Sequence, residues 1–237
     1  MKTIGLLGGM SWESSLEYYR LLNEGVRAEL GGLHSAKILM YSVDFEELVA
    51  LKHKGAWLEI GNLLASAAAQ LEEAGAECII LATNTMHKVA EAIALSVTIP
   101  FLHIADATAN EIKQHSIQQV GLLGTRFTME ESFYKDRLIY QHGLAVQVPN
   151  KEERNAIHDI IYNELCLGQI HSSSREQMRA AISNLVGLGT EAIILGCTEI
   201  ALLVKPEDST VPLFDTTAIH ARAAVQWAVG SNRHIKS

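Results

Sequence analysis

The stretch Glu191-Ala-Ile-Ile-Leu-Gly-Cys197 has an earlier counterpart in Glu77-Cys-Ile-Ile-Leu-Ala-Thr83. Both are apolar runs around an Ile-Ile-Leu triplet, each with a glycine two residues ahead of its glutamate. Both read as buried strands. They lie 114 positions apart (197 − 83). Two further pairs keep the same order. Ile4-Gly-Leu-Leu-Gly8 recurs within Gln119–Thr125 at an offset of 116 (121 − 5), and Tyr134 answers Tyr18 at that offset. Ile99-Pro-Phe-Leu-His103 recurs as Val211-Pro-Leu-Phe-Asp215 at 112 (211 − 99). Three pairs in one order, at a nearly constant spacing, mark a duplicated unit whose period is too long for a solenoid.

Helical patterns fill the gaps between these strands. Leu16, Tyr19, Leu22 and Val26 recur at helical period, with Ser14 and Glu17 at capping-box spacing ahead of them. Ala36–Val43 reads as a strand, with 44–54 as a loop or single helix at its mouth. Ala56–Ala74 reads as a helix, and a further helix is expected from about Met86 to Leu95 and another over Ala105–His115. In the second half, Thr128 with Glu131 is expected to cap one helix. Leu144–Val148 reads as a strand, Lys151–Leu167 as a helix, and Ser173 with Glu176 as the start of another. Strands alternating with helices predict an α/β protein of two pseudo-symmetric lobes. Each would be a four-stranded parallel sheet flanked by helices. The pattern draws the first lobe over 1–98 plus 209–237 and the second over 99–208.

Composition narrows the partners. The net charge is −8 and basic residues are scattered, which argues against nucleic acid or an anionic membrane surface. The three cysteines are odd in number and widely spaced, as expected in a reducing compartment. The apolar stretch Ile4–Leu7 is too short for a signal peptide, and no run reaches the length of a membrane span. A cytoplasmic protein is expected, with a small molecule as its partner and a homodimer left open.

In parallel sheets, ligands bind beyond the carboxyl ends of the strands. Those ends collect Met10 and Ser11, Thr83-Asn84-Thr85, Gly124 and Thr125, and Cys197-Thr198-Glu199. The thiol of Cys197 and the hydroxyl of Thr83 therefore occupy equivalent strand ends. A glycine before Cys197, donors after it and a helix start beneath it are expected to favour a thiolate. Cys78 lies within a strand and Cys166 on a helix, and both read as structural. The loop after Ile4–Gly8 lacks the Gly-x-Gly-x-x-Gly spacing of a dinucleotide site. With no His-x-x-x-His or Cys-x-x-Cys pair, no metal is expected.

Ile4–Met10, Thr83-Asn-Thr-Met-His87, Gly196-Cys-Thr-Glu199 and Phe214–His220 together resemble the aspartate/glutamate racemase family, from about residue 2 to residue 228. The resemblance implies two α/β lobes with the active site between them, the C-terminal segment returning to the first lobe. It also implies racemisation without a cofactor, by two groups facing opposite sides of the substrate α-carbon. The family's first thiol stands in a Cys-Asn-Thr motif. This chain has Thr83-Asn84-Thr85 there. Relatives that take aspartate carry an Arg near position 48 and a Lys near 166, where this chain has Leu48 and Cys166. Lys52, one helical turn after Leu48, is the substitute candidate for the side-chain carboxylate.

The resulting expectation is racemisation of L-aspartate or L-glutamate. Cys197 would abstract the α-proton, and Thr83 or a water would reprotonate the opposite face. Asn84, Thr85 and Thr198 would hold the α-carboxylate. Met10, Ser11, Lys52, Gly124, Thr125, Cys166 and Glu199 complete the expected substrate shell. A single-thiol decarboxylase of the same superfamily, a non-catalytic amino-acid-binding protein and a decayed paralogue are the competing readings.

Overall fold

A computed structural model describes residues 1–230. The chain runs β1 (Ile4–Gly8), α1 (Trp12–Leu30), β2 (Ile38–Ser42), α2 (Phe45–His53), α3 (Trp57–Glu73), β3 (Cys78–Leu81), α4 (Ala90–Leu95), β4 (Phe101–Leu102) and α5 (Ile104–Gln114). The second half runs β5 (Gln119–Gly124), α6 (Arg126–Glu130), α7 (Ser132–Asp136), β6 (Ala145–Gln147), α8 (Lys151–Asn163), α9 (Ser172–Gly187), β7 (Ala192–Gly196), α10 (Ile200–Leu203), β8 (Leu213–Asp215) and α11 (Thr216–Gly230). The strands form two parallel four-stranded sheets, ordered β2-β1-β3-β4 and β6-β5-β7-β8. The same strand order in both sheets is the structural form of the sequence duplication. No described helix is long and apolar enough to cross a membrane.

The chain divides into two compact units, Met1–Ile104 with the residues from His220 onward, and Ala105–Ile219. The sequence pattern drew these crossings at 98/99 and 208/209. The difference is one strand at each crossing. β4 stays with β3 and β8 stays with β7, because each hydrogen-bonds to that neighbour. Residues 231–237 of the expected first-lobe segment lie outside the described residues.

The repeated glycines have a packing reason. A Cβ on Gly5 would meet Ile79 Cδ1 at 2.8 Å, and one on Gly121 would meet Ile193 Cδ1 at 2.6 Å. The isoleucines of β3 and β7 thus cross the neighbouring strand where it has no side chain. Alternation along β1 then sends Ile4 and Leu6 to a core with Tyr18, Leu22 and Val26 of α1 and Ala224 and Val225 of α11. Leu7 joins Ile60 and Leu64 of α3 on the other face. In the second unit, Leu123, Ile193 and Leu195 pack with Ile157, Ile160 and Ile161 of α8 and Met178 and Ile182 of α9.

The helix starts differ from the capping boxes expected at Ser14, Thr128 and Ser173. α1 is capped by Ser11, whose Oγ accepts from Ser14 N at 3.4 Å, and α6 by Thr125, which accepts from Thr128 N at 3.4 Å. α9 begins at Ser172 after His171. In the first two cases the helix starts directly after the strand loop, so the hydroxyl nearest the strand reaches the free N–H groups. Both cap pairs stand 114 apart (125 − 11, 128 − 14). At the caps the offset falls to 114 because the second loop has no counterpart of Gly9-Met10, and it is back at 116 by Tyr18 and Tyr134. The run 151–167 is also broken: α8 stops at Asn163, and Cys166 sits in a 3-10 turn ended by Gly168 at φ 70°. A glycine adopts this left-handed backbone without the Cβ clash.

The Gly121–Ile193 approach predicts a coupled pair. Gly121→Ala is expected to cost about 1–3 kcal/mol by overpacking. Adding Ile193→Val, which removes the opposing Cδ1, should restore part of that loss. Urea unfolding of the single and double variants measures the coupling, and strictly additive losses would refute it.

Candidate active site

Two residues past the last paired leucine of β3, the chain turns at Thr83, whose N–H donates to Leu81 O at 2.9 Å. Thr83 is half-buried, and Asn84 and Thr85 are buried at the start of a 3-10 turn. His87 fixes this turn from beneath. Its Nδ1–H donates to Thr83 O at 2.7 Å, and its Nε2 accepts from Ile104 N at 3.3 Å. A carbonyl can only accept, so His87 is the neutral Nδ1–H tautomer. The imidazole therefore positions the Thr83 turn through local hydrogen bonds.

His220, the first residue of α11 in this unit, lies beside it, with ring centroids 6.1 Å apart; His103 lies at 4.5 Å from His87. His220 Nε2–H donates to Leu102 O at 2.8 Å, and its Nδ1 accepts from Tyr18 Oη at 2.8 Å. Burial holds its pKa down at about 4. Sequence reasoning assigned no role to His103, and took His220 only as part of a family motif. Nothing in the chain links His220 to Tyr18, 202 residues away.

The same unit carries Met10, Ser11 and Lys52. Met10 is buried against the core that holds Leu48, and the Ser11 hydroxyl caps α1. Leu48 is fully buried, and Lys52, one turn later on α2, is only 8% exposed. A lysine so placed needs an anion or acceptors around it.

In the second unit, Gly124 at the end of β5 lies against Gly196 at the end of β7, where a Cβ would meet Gly196 O at 2.9 Å. Thr125 is buried as the cap of α6. Cys197 follows Gly196 directly. It is 9% exposed, and its Sγ–H donates to Glu199 Oε2 at 3.0 Å. Thr198 between them is half-buried, and Glu199 is buried. Thr216 Oγ1 donates to Leu195 O at 2.9 Å and ties the start of α11 to the strand that delivers the thiol.

The expected thiolate is corrected here. Burial pushes the Cys197 thiol well above its ordinary range, and the charges of Glu199 and Cys166 push it further. The helix that follows spans only Ile200–Leu203, and its N-cap is the acidic Glu199. The group that reaches Sγ is thus an acceptor, and the resting thiol keeps its proton. Tyr162 on α8 belongs to the same cluster. Its phenol is pushed up by burial, then by Cys197, Cys166 and Glu199. Tyr162 was missed in the sequence; its four-residue spacing from Cys166, one helical turn, was the available signal. Cys166 packs half-buried against this core. None of the three cysteines is in a disulfide, and among the described residues no three metal-ligating side chains gather.

Residues 7–224 match the Asp/Glu/Hydantoin racemase family. The chain is similar to a Yersinia pestis protein assigned to the Asp/Glu racemases: 55% identity, TM-score 0.92, over 97% of this chain and 100% of that one. It is similar to an aspartate racemase homologue from Pyrococcus horikoshii at 37% identity and TM-score 0.84, over 96% of this chain and 99% of that one. It also matches the broad specificity amino-acid racemase RacX of Bacillus subtilis, 25% identical over 168 residues, 70% of this chain and 71% of RacX.

The buried neutral state of His220 predicts a pH effect on stability. Its pKa is about 6.5 unfolded and about 4 folded, so the unfolded chain binds the extra proton between those values. Stability should be fully present above 6.5 and fall as pH drops through 4, by about 3 kcal/mol for this one group. His220→Gln should flatten that segment of the stability–pH curve; an unchanged slope would show that His220 is not buried neutral.

Proposed function

This chain belongs to the Asp/Glu/hydantoin racemase family, and we propose that it racemises L-aspartate and L-glutamate without a cofactor. The enzyme class is that of the amino-acid racemases. The observation that carries the proposal is Cys197, a buried thiol at the end of β7 with a proton acceptor 3.0 Å away. A reducing cytoplasm, which keeps such a thiol free, is the setting proposed with it.

A thiol must lose its proton before it can act as a base. Glu199 Oε2 is in place to take it. Burial and the neighbouring Glu199 and Cys166 oppose that step. An amino-acid ammonium group brings the missing positive charge and lowers the cost of the thiolate. The thiolate Sγ then takes the α-proton of the L-substrate, and the electron pair left on Cα delocalises into the α-carboxylate. Asn84, Thr85 and Thr198 supply neutral donors to that carboxylate. Thr83 Oγ, or a water beside it, returns a proton to the opposite face. Lys52 holds the side-chain carboxylate in place of the Arg and Lys that Leu48 and Cys166 displace. Met10, Ser11, Gly124 and Thr125 shape the strand ends around the substrate.

Proton NMR of L- and D-aspartate and glutamate in deuterated water tests the proposal. Cys197→Ala should abolish α-proton exchange, and Cys166→Ala should leave it largely intact. Enantiomers have equal free energies, so kcat/KM must be equal in both directions however unlike Cys197 and Thr83 are. The asymmetry shows elsewhere. Cys197 can remove and return protons on one face many times before inversion is completed. The L-substrate should therefore lose its α-proton faster than it inverts, and the D-substrate should wash out slowly. Thr83→Cys should speed inversion and D-exchange. Full exchange activity in Cys197→Ala would remove the mechanism.

Lys52 is tested by specificity. Removing a buried charge-assisted bond is worth roughly 1.5–3 kcal/mol, or about 10- to 100-fold. Lys52→Ala should raise KM for aspartate and glutamate by about that factor and leave KM for alanine nearly unchanged. An equal change for all three substrates would take Lys52 out of the site.

A further inference from the structure

Of the three cysteines, only Cys197 takes part in the proposed reaction. Cys78 lies fully buried inside β3, where burial pushes its thiol up to about 12. Cys166 is different. It is half-buried, and it packs against the same core as the reactive thiol.

The packing brings the two chain segments together. Leu165 beside Cys166, and Ile200 after Cys197, are buried members of that core. The 3-10 turn 165–167 lies against α10, whose first residue follows Cys197 by three (200 − 197). Electrostatics agrees with the packing. Cys166 acts on the Cys197 thiol more weakly than only one other charge, that of Glu199, and both cysteines act on the Tyr162 phenol. Coulomb effects fall off with distance.

The backbone gives Cys166 room to turn. α8 has ended at Asn163, Glu164 stands at φ −127° and ψ −67°, and Gly168 closes the turn at φ 70°. Leu167 N and Gln169 N both donate to Glu164 O at 2.9 Å. A short 3-10 turn is held by weaker hydrogen bonds than an α-helix. It can rotate its cysteine toward α10 without unwinding α8. A disulfide needs Cα atoms about 4.4–6.8 Å apart.

We propose that hydroperoxide closes a reversible disulfide between Cys166 and Cys197, and that this bond switches the site off by removing the thiol at the end of β7. The more exposed sulfur reacts first. Cys166 sulfur attacks the peroxide, the O–O bond breaks, and sulfenic acid and one water form. Glu199 Oε2, 3.0 Å from Cys197 Sγ, then takes the thiol proton. Cys197 sulfur attacks the Cys166 sulfur, the S–O bond breaks, and the departing hydroxide takes up the proton from Glu199 as a second water. Two thiols and one peroxide thus give one disulfide and two waters, and an external dithiol reverses the bond. The product carries no charge, so the burial that penalises a lasting thiolate does not penalise the disulfide. In a reducing setting such bonds are transient and report oxidation. The loss of activity rests on Cys197 being the racemase base; the bond itself does not.

Peptide mapping of the full chain tests the proposal after stoichiometric hydrogen peroxide and alkylation. Trypsin places the cysteines on separate peptides, 55–88, 155–175 and 180–222. Titratable thiols should fall from three to one. Peptides 155–175 and 180–222 should be linked and lighter by two hydrogens, with Cys78 alkylated on 55–88. Exchange of the L-aspartate α-proton should fall with the linked fraction, and dithiothreitol should restore it. Cys166→Ala, measured against its own untreated rate, should lose activity several-fold more slowly. Glu199→Gln should let the Cys166 sulfenic acid accumulate, trapped by dimedone on 155–175. Activity lost while Cys166 stays fully alkylatable overturns the proposal. So does a Cys166→Ala variant that is inactivated as fast as the unmodified chain and recovers with dithiothreitol. A linked pair with exchange retained would overturn the switch together with the assignment of Cys197 as base, and would keep the bond.

Discussion

The crossing of Ile79 over Gly5, and of Ile193 over Gly121, sets the register between the first and third strands of each unit. Any side chain at those glycines would push the strands apart. With the register fixed, Leu7 pairs with Leu81 and Leu123 with Leu195. Two residues later in each unit, the chain leaves its sheet at Thr83 and at Cys197. The location of the reactive groups is therefore a consequence of core packing. The strand ends are where a parallel sheet leaves backbone and side chains open to a ligand.

The two ends are equivalent in backbone and opposite in electrostatics. At the common offset of 114, Thr83, Asn84, Thr85 and His87 answer Cys197, Thr198, Glu199 and Ala201 (201 − 87 = 114). The first unit has neutral hydroxyls where the second has a thiol and a carboxylate. The first unit also has a histidine that holds the turn by its carbonyl, where the second has an alanine. One end is thus clamped and uncharged, and the other carries both a proton donor and its acceptor. Burial amplifies the contrast, because an ionised thiol in an apolar cluster of acids is costly until a cation arrives.

Much of this was legible in the chain. Three pairs of short apolar runs at a nearly steady offset located six of the eight strands, Ala36–Val43 and Leu144–Val148 read as strands on their own, and the strand ends then collected Thr83 and Cys197. What was illegible was set by direction and distance. A cap depends on which hydroxyl faces the first free N–H groups, so Ser11 and Thr125 were passed over for Ser14 and Thr128. The thiol's protonation depends on the side chain of Glu199 turning back onto Sγ, which spacing alone does not reveal. The crossings at 104/105 and 219/220 depend on which neighbour pairs with β4 and β8. Tyr18 and His220 meet across most of the sequence, and no local pattern encodes such a contact.

The duplicated units also differ at their equivalent sheet edges. β2 and β6 hold the same place in their sheets. In the first unit a continuous α1 of nineteen residues flanks that edge. In the second unit the corresponding stretch breaks at Glu131 into the five-residue helices α6 and α7, and β6 is three residues long. A short strand beside a broken helix offers no continuous apolar flank. The second unit carries the thiol, its acceptor and the acids around them, and the first carries the longer edge strand and the unbroken helix. The copies kept the strand order that the core requires. Their differences lie where the core imposes no constraint, at one strand end and at one sheet edge.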